Sequence, residues 1–298
     1  MAHFLDTYGQ LPQLGFGLGF KDVYLDQIIA QQDEPDYVCQ IDWLELIPEN
    51  YMGKGGYSEQ ILQRLVEQDF PMASHGVGLS LGSVDPLNTE YIDSLQQLFE
   101  LVQPVWFSDH LSFSSVNGQY FNDLMPLPFT QEAVEVCVEK IKTIQQQFHV
   151  PFLIENISYY AHVPVPNAFT EAEFLAQVVE KANCGLLLDV NNVFVNAFNH
   201  GYNALDFLQQ LPLERVIEIH IAGHEKDGDL IIDTHSEHVC PDVFELLKWV
   251  YPRCPNVKGV LLERDSNLPS FEVLIQELQH VKASAYQGYC YPVEAVCR

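Results

Sequence analysis

Histidines and carboxylates recur in this chain directly after short aliphatic runs. Ala73-Ser74-His75-Gly76, Phe107-Ser108-Asp109-His110, Leu153-Ile154-Glu155-Asn156, Leu187-Leu188-Asp189-Val190, Glu218-Ile219-His220-Ile221 and Leu261-Leu262-Glu263-Arg264 all have this form. Ile232-Asp233-Thr234-His235 adds a pair at alternate positions. Alternate residues of extended backbone point the same way, so this pair could hold one ion or two adjacent ones. Burying an ionisable group at a strand end costs several kcal/mol unless it is paired or metal-bound. A convergent set of them is explained by cations in their midst. Imidazoles with carboxylates and no cysteine suit iron, manganese or zinc, and carboxylates can bridge ions about 3.5 to 4 Å apart.

Each residue has a plainer reading when taken alone. His75 and His110 could be hydrogen-bonded structural histidines, Glu155 a helix-start anion, and Asp189 the cap of a strand-to-helix loop. Glu263 could pair with Arg264 or Arg253. Convergence is what favours coordination. Asn192 joins the candidate ligands because one helical turn from Asp189 carries it back toward the same point. His224 and Asp265 lie just beyond ligand positions and are candidates for acid–base or ligand-orienting roles. Glu237 and His238 read as surface residues. Glu45 and Glu49, with Asn50, could reach the mouth of the site.

These ligands need a scaffold that gathers strand ends. Strand-like runs fall at Leu14–Phe20, Asp42–Ile47, Pro71–Leu79, Pro104–Phe113, Pro151–Ile157, Gly185–Val190, Arg215–Ile221 and Gly259–Glu263. Helical periodicity lies between them, as in Ile61, Leu62, Leu65 and Val66, or Val134, Cys137, Val138, Ile141 and Ile144. Thr170 and Glu173 form a capping box before Phe174. The stretches Asp22–Ala30 and Ala204–Leu211 are weaker helical patterns. Alternating strands and helices imply right-handed crossovers and a parallel sheet. Eight such units predict an α/β fold, a (β/α)8 TIM barrel filling residues 1–298 as one domain, with the metal site at the C-terminal strand ends. An open doubly wound sheet would draw on fewer strand ends. Gly15, Gly17 and Gly19 form Gly-x-Gly-x-Gly, not a dinucleotide fingerprint, and read as small inward positions of a barrel strand.

The net charge is −27, from 41 acidic and 14 basic residues. Nucleic-acid binding draws its affinity from Lys and Arg on phosphates, so no nucleic-acid partner is expected. The seven cysteines are odd in number and contain no Cys-x-x-Cys pair, which argues against a disulfide framework or zinc ribbon and for a reducing cytoplasm. Cys290 and Cys297 read as free thiols. Met1–Gln10 lacks the pattern of a signal peptide, and no apolar stretch is long enough to span a membrane.

The order of these motifs resembles the trinuclear zinc site of endonuclease IV and of xylose-isomerase-like barrels. Their wording resembles a narrower family, the multinuclear non-haem iron-dependent oxidases. Ser74-His75-Gly76-Val77-Gly78-Leu79-Ser80-Leu81-Gly82, Phe107-Ser108-Asp109-His110-Leu111, Ile154-Glu155-Asn156-Ile157, Asp189-Val190-Asn191-Asn192, His220-Ile221-Ala222-Gly223-His224, Asp233-Thr234-His235 and Glu263-Arg264-Asp265 carry that likeness across nearly the whole chain. The resemblance implies two or three iron ions held by His75, His110, Glu155, Asp189, Asn192, His220, Asp233, His235 and Glu263. It implies dioxygen-dependent modification of a cysteine in a ribosomally made precursor peptide, with a separate peptide-recognition protein as a possible partner. Asn192 stands where the nuclease-like site would have histidine, which favours the oxidase. Ser236 stands where glycine would be expected, which puts the local loop shape in question. Two other readings stay open: a zinc phosphodiesterase or nuclease-like hydrolase, with zinc or manganese in place of iron, and a non-catalytic metal-binding protein.

Overall fold

A computed structural model describes residues 2–33, 41–53 and 55–288. Cys39, Cys290 and Cys297 lie outside the described residues. The strands are β1 (Gly15–Gly19), β2 (Trp43–Leu46), β3 (Met72–Gly76), β4 (Phe107–His110), β5 (Phe113–Val116), β6 (Gln119–Met125), β7 (Phe152–Glu155), β8 (Gly185–Asp189), β9 (Val216–Ile221), β10 (Glu225–Asp227), β11 (Leu230–Ile232) and β12 (Gly259–Leu262). The helices are α1 (Ala2–Tyr8), α2 (Leu25–Asp33), α3 (Tyr57–Val66), α4 (Thr89–Val102), α5 (Gln131–Gln147), α6 (Glu171–Ala182), α7 (Val190–His200), α8 (Ala204–Leu208), α9 (Pro241–Val250) and α10 (Phe271–Gln287). Eight strands close into a parallel barrel in the order β1-β12-β9-β8-β7-β4-β3-β2. The expected TIM barrel is therefore present. Among the described residues, no helix is long and apolar enough to cross a membrane.

Strand periodicity sorts the side chains into two shells. Leu44, Leu46, Ile154, Leu186, Leu188, Ile219 and Leu262 belong to the large core between barrel and helices. Trp43, Ala73, Trp106, Leu153, Leu187, Ile217 and Leu261 form a separate cluster inside the barrel. Two residues further along each strand, the same inward face carries Glu45, His75, Ser108, Glu155, Asp189 and Glu263. An apolar floor thus lies beneath a polar layer.

Helix α1 closes the floor from below. Phe4 and Tyr8, one helical turn apart, stack at 4.5 Å and join the interior cluster. The Tyr8 hydroxyl donates to the Phe152 carbonyl at 2.7 Å, and the Arg215 guanidinium lies 4.8 Å from the Phe4 ring. No helix was expected in this segment, because seven residues with two aromatics give too little periodicity to read.

Of the β1 glycines, Gly17 serves packing as its small size suggested, Gly15 adopts φ +87°, and Gly19 faces open space. A Cβ on Gly17 would fall 2.5 Å from the Trp43 indole, and one on Gly259 would fall 2.8 Å from the same ring. In β9, a register shift against β8 carries Leu186↔Val216 to Leu187↔Glu218. This bulge lets Ile217 join the floor while Glu218 and His220 also reach the interior.

The helix signals held at several ends. Thr170 and Glu173 form the full capping box of α6. Asp22–Ala30 resolves into a 3-10 turn, Asp22–Tyr24, followed by α2, and Ala204–Leu211 into the short α8. The run Pro104–Phe113 is not one strand: β4 ends at His110, and Phe113 opens the hairpin β5–β6. A second hairpin, β10–β11, follows β9, so Asp233 and His235 come after a hairpin strand, not a barrel strand.

Replacing Gly17 with alanine should destabilise the barrel by about 1–3 kcal/mol, the usual cost of overpacking a filled core. Urea unfolding checks this, and an unchanged midpoint would contradict the packing described.

Candidate metal centre

The strand ends deliver the candidate ligands to one rim. Glu155 lies at the focus. Its Oε2 is 3.0 Å from His75 Nε2 and 2.9 Å from His110 Nε2, and the two imidazole nitrogens are 3.3 Å apart. Its Oε1 lies 3.6 Å from His220 Nδ1, which is 3.1 Å from Glu263 Oε2. Glu263 Oε2 is also 3.5 Å from His235 Nδ1, and His235 Nε2 is 2.8 Å from Asp233 Oδ1. Ligand atoms of His75, Glu155 and His220 lie within 4.8 Å of one another, as do those of Asp189, His235 and Glu263.

Partners behind the ligands aim them. The Ser108 hydroxyl holds His75 Nδ1 at 2.8 Å, and the Gly76 carbonyl holds His110 Nδ1 at 3.0 Å. A carbonyl only accepts, so His110 carries its proton on Nδ1 and turns Nε2 inward. Asp189 does cap α7: its Oδ1 accepts from Asn192 N at 2.6 Å. Its other oxygen has no hydrogen-bond partner and is buried. Asn192 donates its Nδ2 to the Asn156 carbonyl at 3.0 Å, leaving its amide oxygen buried and without a partner. Asn156 ties this corner together, exchanging hydrogen bonds with both backbone groups of Asp189 at 3.0 Å.

The electrostatics are those of a site built around positive charge. Burial pushes Asp189 well above the usual carboxylate range, and the neighbouring Glu155 and Asp233 charges add to that. Against the same burial, His110 and His75 pull Glu155 well below its ordinary value, and His220 and His235 lower Glu263. Burial disfavours charge on the histidines, yet the Glu155 carboxylate carries His110 up to about 9, and carboxylates hold His220 and His235 well above 6.5. Asp189 Oδ2 and Asn192 Oδ1 are buried without hydrogen-bond partners, while Glu155 Oε2, both His220 nitrogens and His235 Nε2 meet only other carboxylates and imidazoles of the same cluster. Oxygen and nitrogen donors so disposed fit divalent or trivalent ions.

A cavity of about 500 Å3 opens onto this layer. His75, His110, Glu155, Asn192, Asp233, His235, Glu263 and Asp265 line it beside the apolar Ile157, Leu124, Met125 and Pro126.

Of the two auxiliary residues named from sequence, Asp265 lines the cavity and accepts from His235 Nδ1 at 2.9 Å and from Lys21 Nζ at 2.7 Å. His224 stands behind the ligands: its Nδ1 meets Asn191 Oδ1 at 2.8 Å, and Asn191 donates to Asp233 Oδ1 at 2.7 Å. Its ring stacks on Phe194. Glu237 is exposed, and His238 is turned to Glu277, 3.0 Å away. Glu45 does not reach the mouth. It is buried under the ligand layer, 3.2 Å from His220 Nε2, opposite Glu218 at 3.3 Å. Glu49 supports the loop after β3, accepting from Val77 N and the Tyr91 hydroxyl. Asn50 is exposed. Ser236 is buried, and its hydroxyl bonds Glu225 and Thr234.

Sequence reasoning missed Glu218 and Asn191. Glu218 had a signal, since it stands two residues before His220 on one strand and so shares its face. Asn191 had none, because its role depends on a loop arriving from elsewhere in the chain.

The fold is that of the xylose-isomerase-like barrels. Endonuclease IV from Thermus thermophilus superposes with a TM-score of 0.54 at 17% identity, covering 93% of this chain and 100% of the other. A xylose isomerase domain protein from Alicyclobacillus acidocaldarius gives 0.56 at 12%, with coverages of 92% and 99%. At such identities the likeness is one of fold. Sequence goes further. Residues 15–286 match the family described as RiPP precursor modification enzyme MbnB/TglH/ChrH, and the chain belongs to that family. It is 42% identical to a UPF0276 protein of Acaryochloris marina over 89% of this chain and 92% of the other. It is 39% identical to one of Acinetobacter baylyi over 92% of each. Membership implies a peptide substrate.

Metal binding should displace the proton held at His110. The pKa of about 9 lies above the ordinary 6.5, so between those values the folded protein keeps a proton that the unfolded chain releases. Adding zinc to metal-free protein at pH 7.5 in weak buffer should acidify the solution by at least about one proton per ion bound. A constant pH would contradict the assignment of His110 as a ligand.

Proposed function

We propose that this protein is a multinuclear non-haem iron oxidase that modifies a cysteine of a ribosomally made precursor peptide with dioxygen. The supporting observation is the convergence of nine candidate ligands from barrel strands, one helix and one loop, seven of them lining a single cavity, with Asp189 Oδ2 and Asn192 Oδ1 buried beside them without partners. The ligands in this reading are His75, His110, Glu155, Asp189, Asn192, His220, Asp233, His235 and Glu263. Glu155 and Glu263 each face two or more imidazoles, which suits carboxylates shared between neighbouring ions. Histidine, carboxylate and amide oxygen without thiolate suit iron among the available metals.

Bound iron would supply dioxygen activation and electron transfer. The chain supplies position and surroundings. His75 and His110 are held by their outer nitrogens, so their inner nitrogens keep one direction. The Asp265 carboxylate, kept below its usual range by its hydrogen bond from His235 and by Lys21, is a poor base at neutral pH despite its burial, and it acts by orienting His235. His224 acts through Asn191 on Asp233. Ile157, Leu124, Met125 and Pro126 provide apolar walls that exclude water around a bound thiol. A separate protein that presents the peptide belongs to this reading, since the chain must capture a substrate much larger than the cavity.

Protein purified without oxygen should carry two or more irons per chain and consume dioxygen with a thiol peptide. His110→Ala and Asp233→Ala should each lower turnover at least about a hundredfold and reduce metal content, with a native circular dichroism spectrum. Full turnover in either variant would refute the ligand assignment. Equal activity under argon with zinc alone would replace the oxidase by a hydrolase.

A further inference from the structure

The two hairpins that flank the cavity mouth differ in how their edges are covered. On β11 the outer edge is sealed by one side chain: Asn199 donates to the Ile231 carbonyl at 2.8 Å and accepts from Ile231 N at 2.9 Å. Strand β10 is three residues long, Glu225-Lys226-Asp227, and its charges blunt it as an edge. On β5 the outer side is occupied by Ser80, whose hydroxyl accepts from Ser114 N at 3.0 Å and Ser115 N at 3.2 Å.

Strand β6 has none of these covers. Its sequence, Gln119-Tyr120-Phe121-Asn122-Asp123-Leu124-Met125, holds no lysine or proline to discourage pairing. Gln119 to Asp123 are exposed, with Tyr120 at 69% and Phe121 at 40%. Pairing with β5 jumps from Phe113↔Met125 to Ser115↔Tyr120, so Phe121 to Leu124 face a single β5 residue, Ser114. Among the described residues, no backbone group of β6 bonds to the backbone of any segment outside the hairpin. This strand leads directly into the cavity, whose wall includes Asp123, Leu124 and Met125.

The charge around it has one sign. The chain carries −27 overall, and Asp123 is exposed on the cavity wall at the end of the open strand. Lys21, the cation that reaches Asp265, is already paired with that carboxylate.

We infer that β6 is the docking edge for the substrate peptide, and that this peptide is cationic beside its cysteine. An extended segment of about five residues, roughly 17 Å, pairs along Gln119–Asp123 by main-chain hydrogen bonds. The next residues of the peptide then enter the cavity, placing the cysteine over the ligand layer. Lysine or arginine on the peptide faces Asp123. The inference rests on the reading of this cavity as a peptide-modifying site, but it concerns binding and not oxidation.

The test uses two labelled peptides of about eight residues, each with a central cysteine, one flanked by lysines and the other by glutamates. Fluorescence anisotropy with zinc-loaded full-length protein under argon reads affinity without turnover. The lysine peptide should bind at least about tenfold tighter than the glutamate peptide in low salt, with the gap closing in concentrated salt. Asn122→Pro, which removes an edge N–H at an exposed position, should weaken it about tenfold, and Asp123→Lys should erase the preference. Lys226→Pro on the other hairpin should change nothing. Equal affinity for the two peptides, or parental affinity in Asn122→Pro with parental preference in Asp123→Lys, would overturn the inference. If Asn122→Pro does not fold, Asp123→Lys decides alone, because it leaves the backbone intact. Tight binding of the lysine peptide by a protein that consumes no dioxygen would sink the oxidase reading and leave the docking edge standing.

Discussion

The structure is governed by the free energy of keeping charge inside a closed barrel. Glu45, Asp189, Glu218 and His220 are each 4% exposed or less, and Glu155 is 2% exposed. Water cannot solvate them, and the floor of Trp43, Trp106, Leu153, Leu187 and Leu261 excludes it from below. Each carboxylate must therefore find a proton, an imidazole or a cation. The opposed shifts of Asp189 and Glu155, two carboxyls of one layer, express that competition: burial and neighbouring carboxylates push Asp189 up, while two imidazoles pull Glu155 down against the same burial. Multivalent ions remove the conflict, since they satisfy several carboxylates at once and leave the imidazoles neutral.

The same constraint explains the architecture below the site. An apolar floor raises the energy of unpaired charge above it, and so sharpens the preference for coordination. The floor itself depends on α1, which brings Phe4 and Tyr8 under the barrel, and on glycines at positions 17 and 259, which leave room for Trp43. Phe4, Tyr8 and Gly17 are remote in sequence from the candidate ligands, but they help to set the dielectric above the floor.

The barrel was legible because its signals are repetitive. Aliphatic runs, helical faces and a polar residue at the end of each run recur, and independent repeats reinforce one another. The convergence of His75, His110, Glu155, Asp189, His220 and Glu263 was legible for the same reason. What escaped the sequence depends on single contacts between distant segments. The two hairpins break the repeat, so Phe113 was assigned to the strand of His110 and the loop position of Asp233 was not seen. Glu45 was placed at the mouth because it follows an apolar run, but register puts it two residues below the rim, under His220. Glu218 shares a face with His220 and could have been read from that spacing; what periodicity does not reveal is the bulge that turns Ile217 inward as well.

A ligand on a strand and a ligand on a loop are held by different means. His75 and His110 sit in a hydrogen-bonded ladder, and one further contact each, from Ser108 and the Gly76 carbonyl, fixes their rings. Asp233 and His235 have no ladder, and the chain replaces it with tethers. The Tyr160 hydroxyl accepts from Asp233 N, Ser158 and Asn191 donate to the two oxygens of Asp233, and Asp265 accepts from His235 while its own N–H donates to the His235 carbonyl. Arg264 reaches the Ser236 carbonyl from the strand β12 side. His235 itself adopts φ +49°, a left-handed backbone that an ordinary side chain adopts at a cost of about 1 kcal/mol or more. The number of tethers follows from the task. A loop can approach the cavity from outside the barrel, where strand ends cannot reach, but it needs a bond for every degree of freedom that a strand would have removed. Lys21, Asn191, Ser158, Tyr160 and Asp265 are therefore as much a part of this centre as the candidate ligands they position.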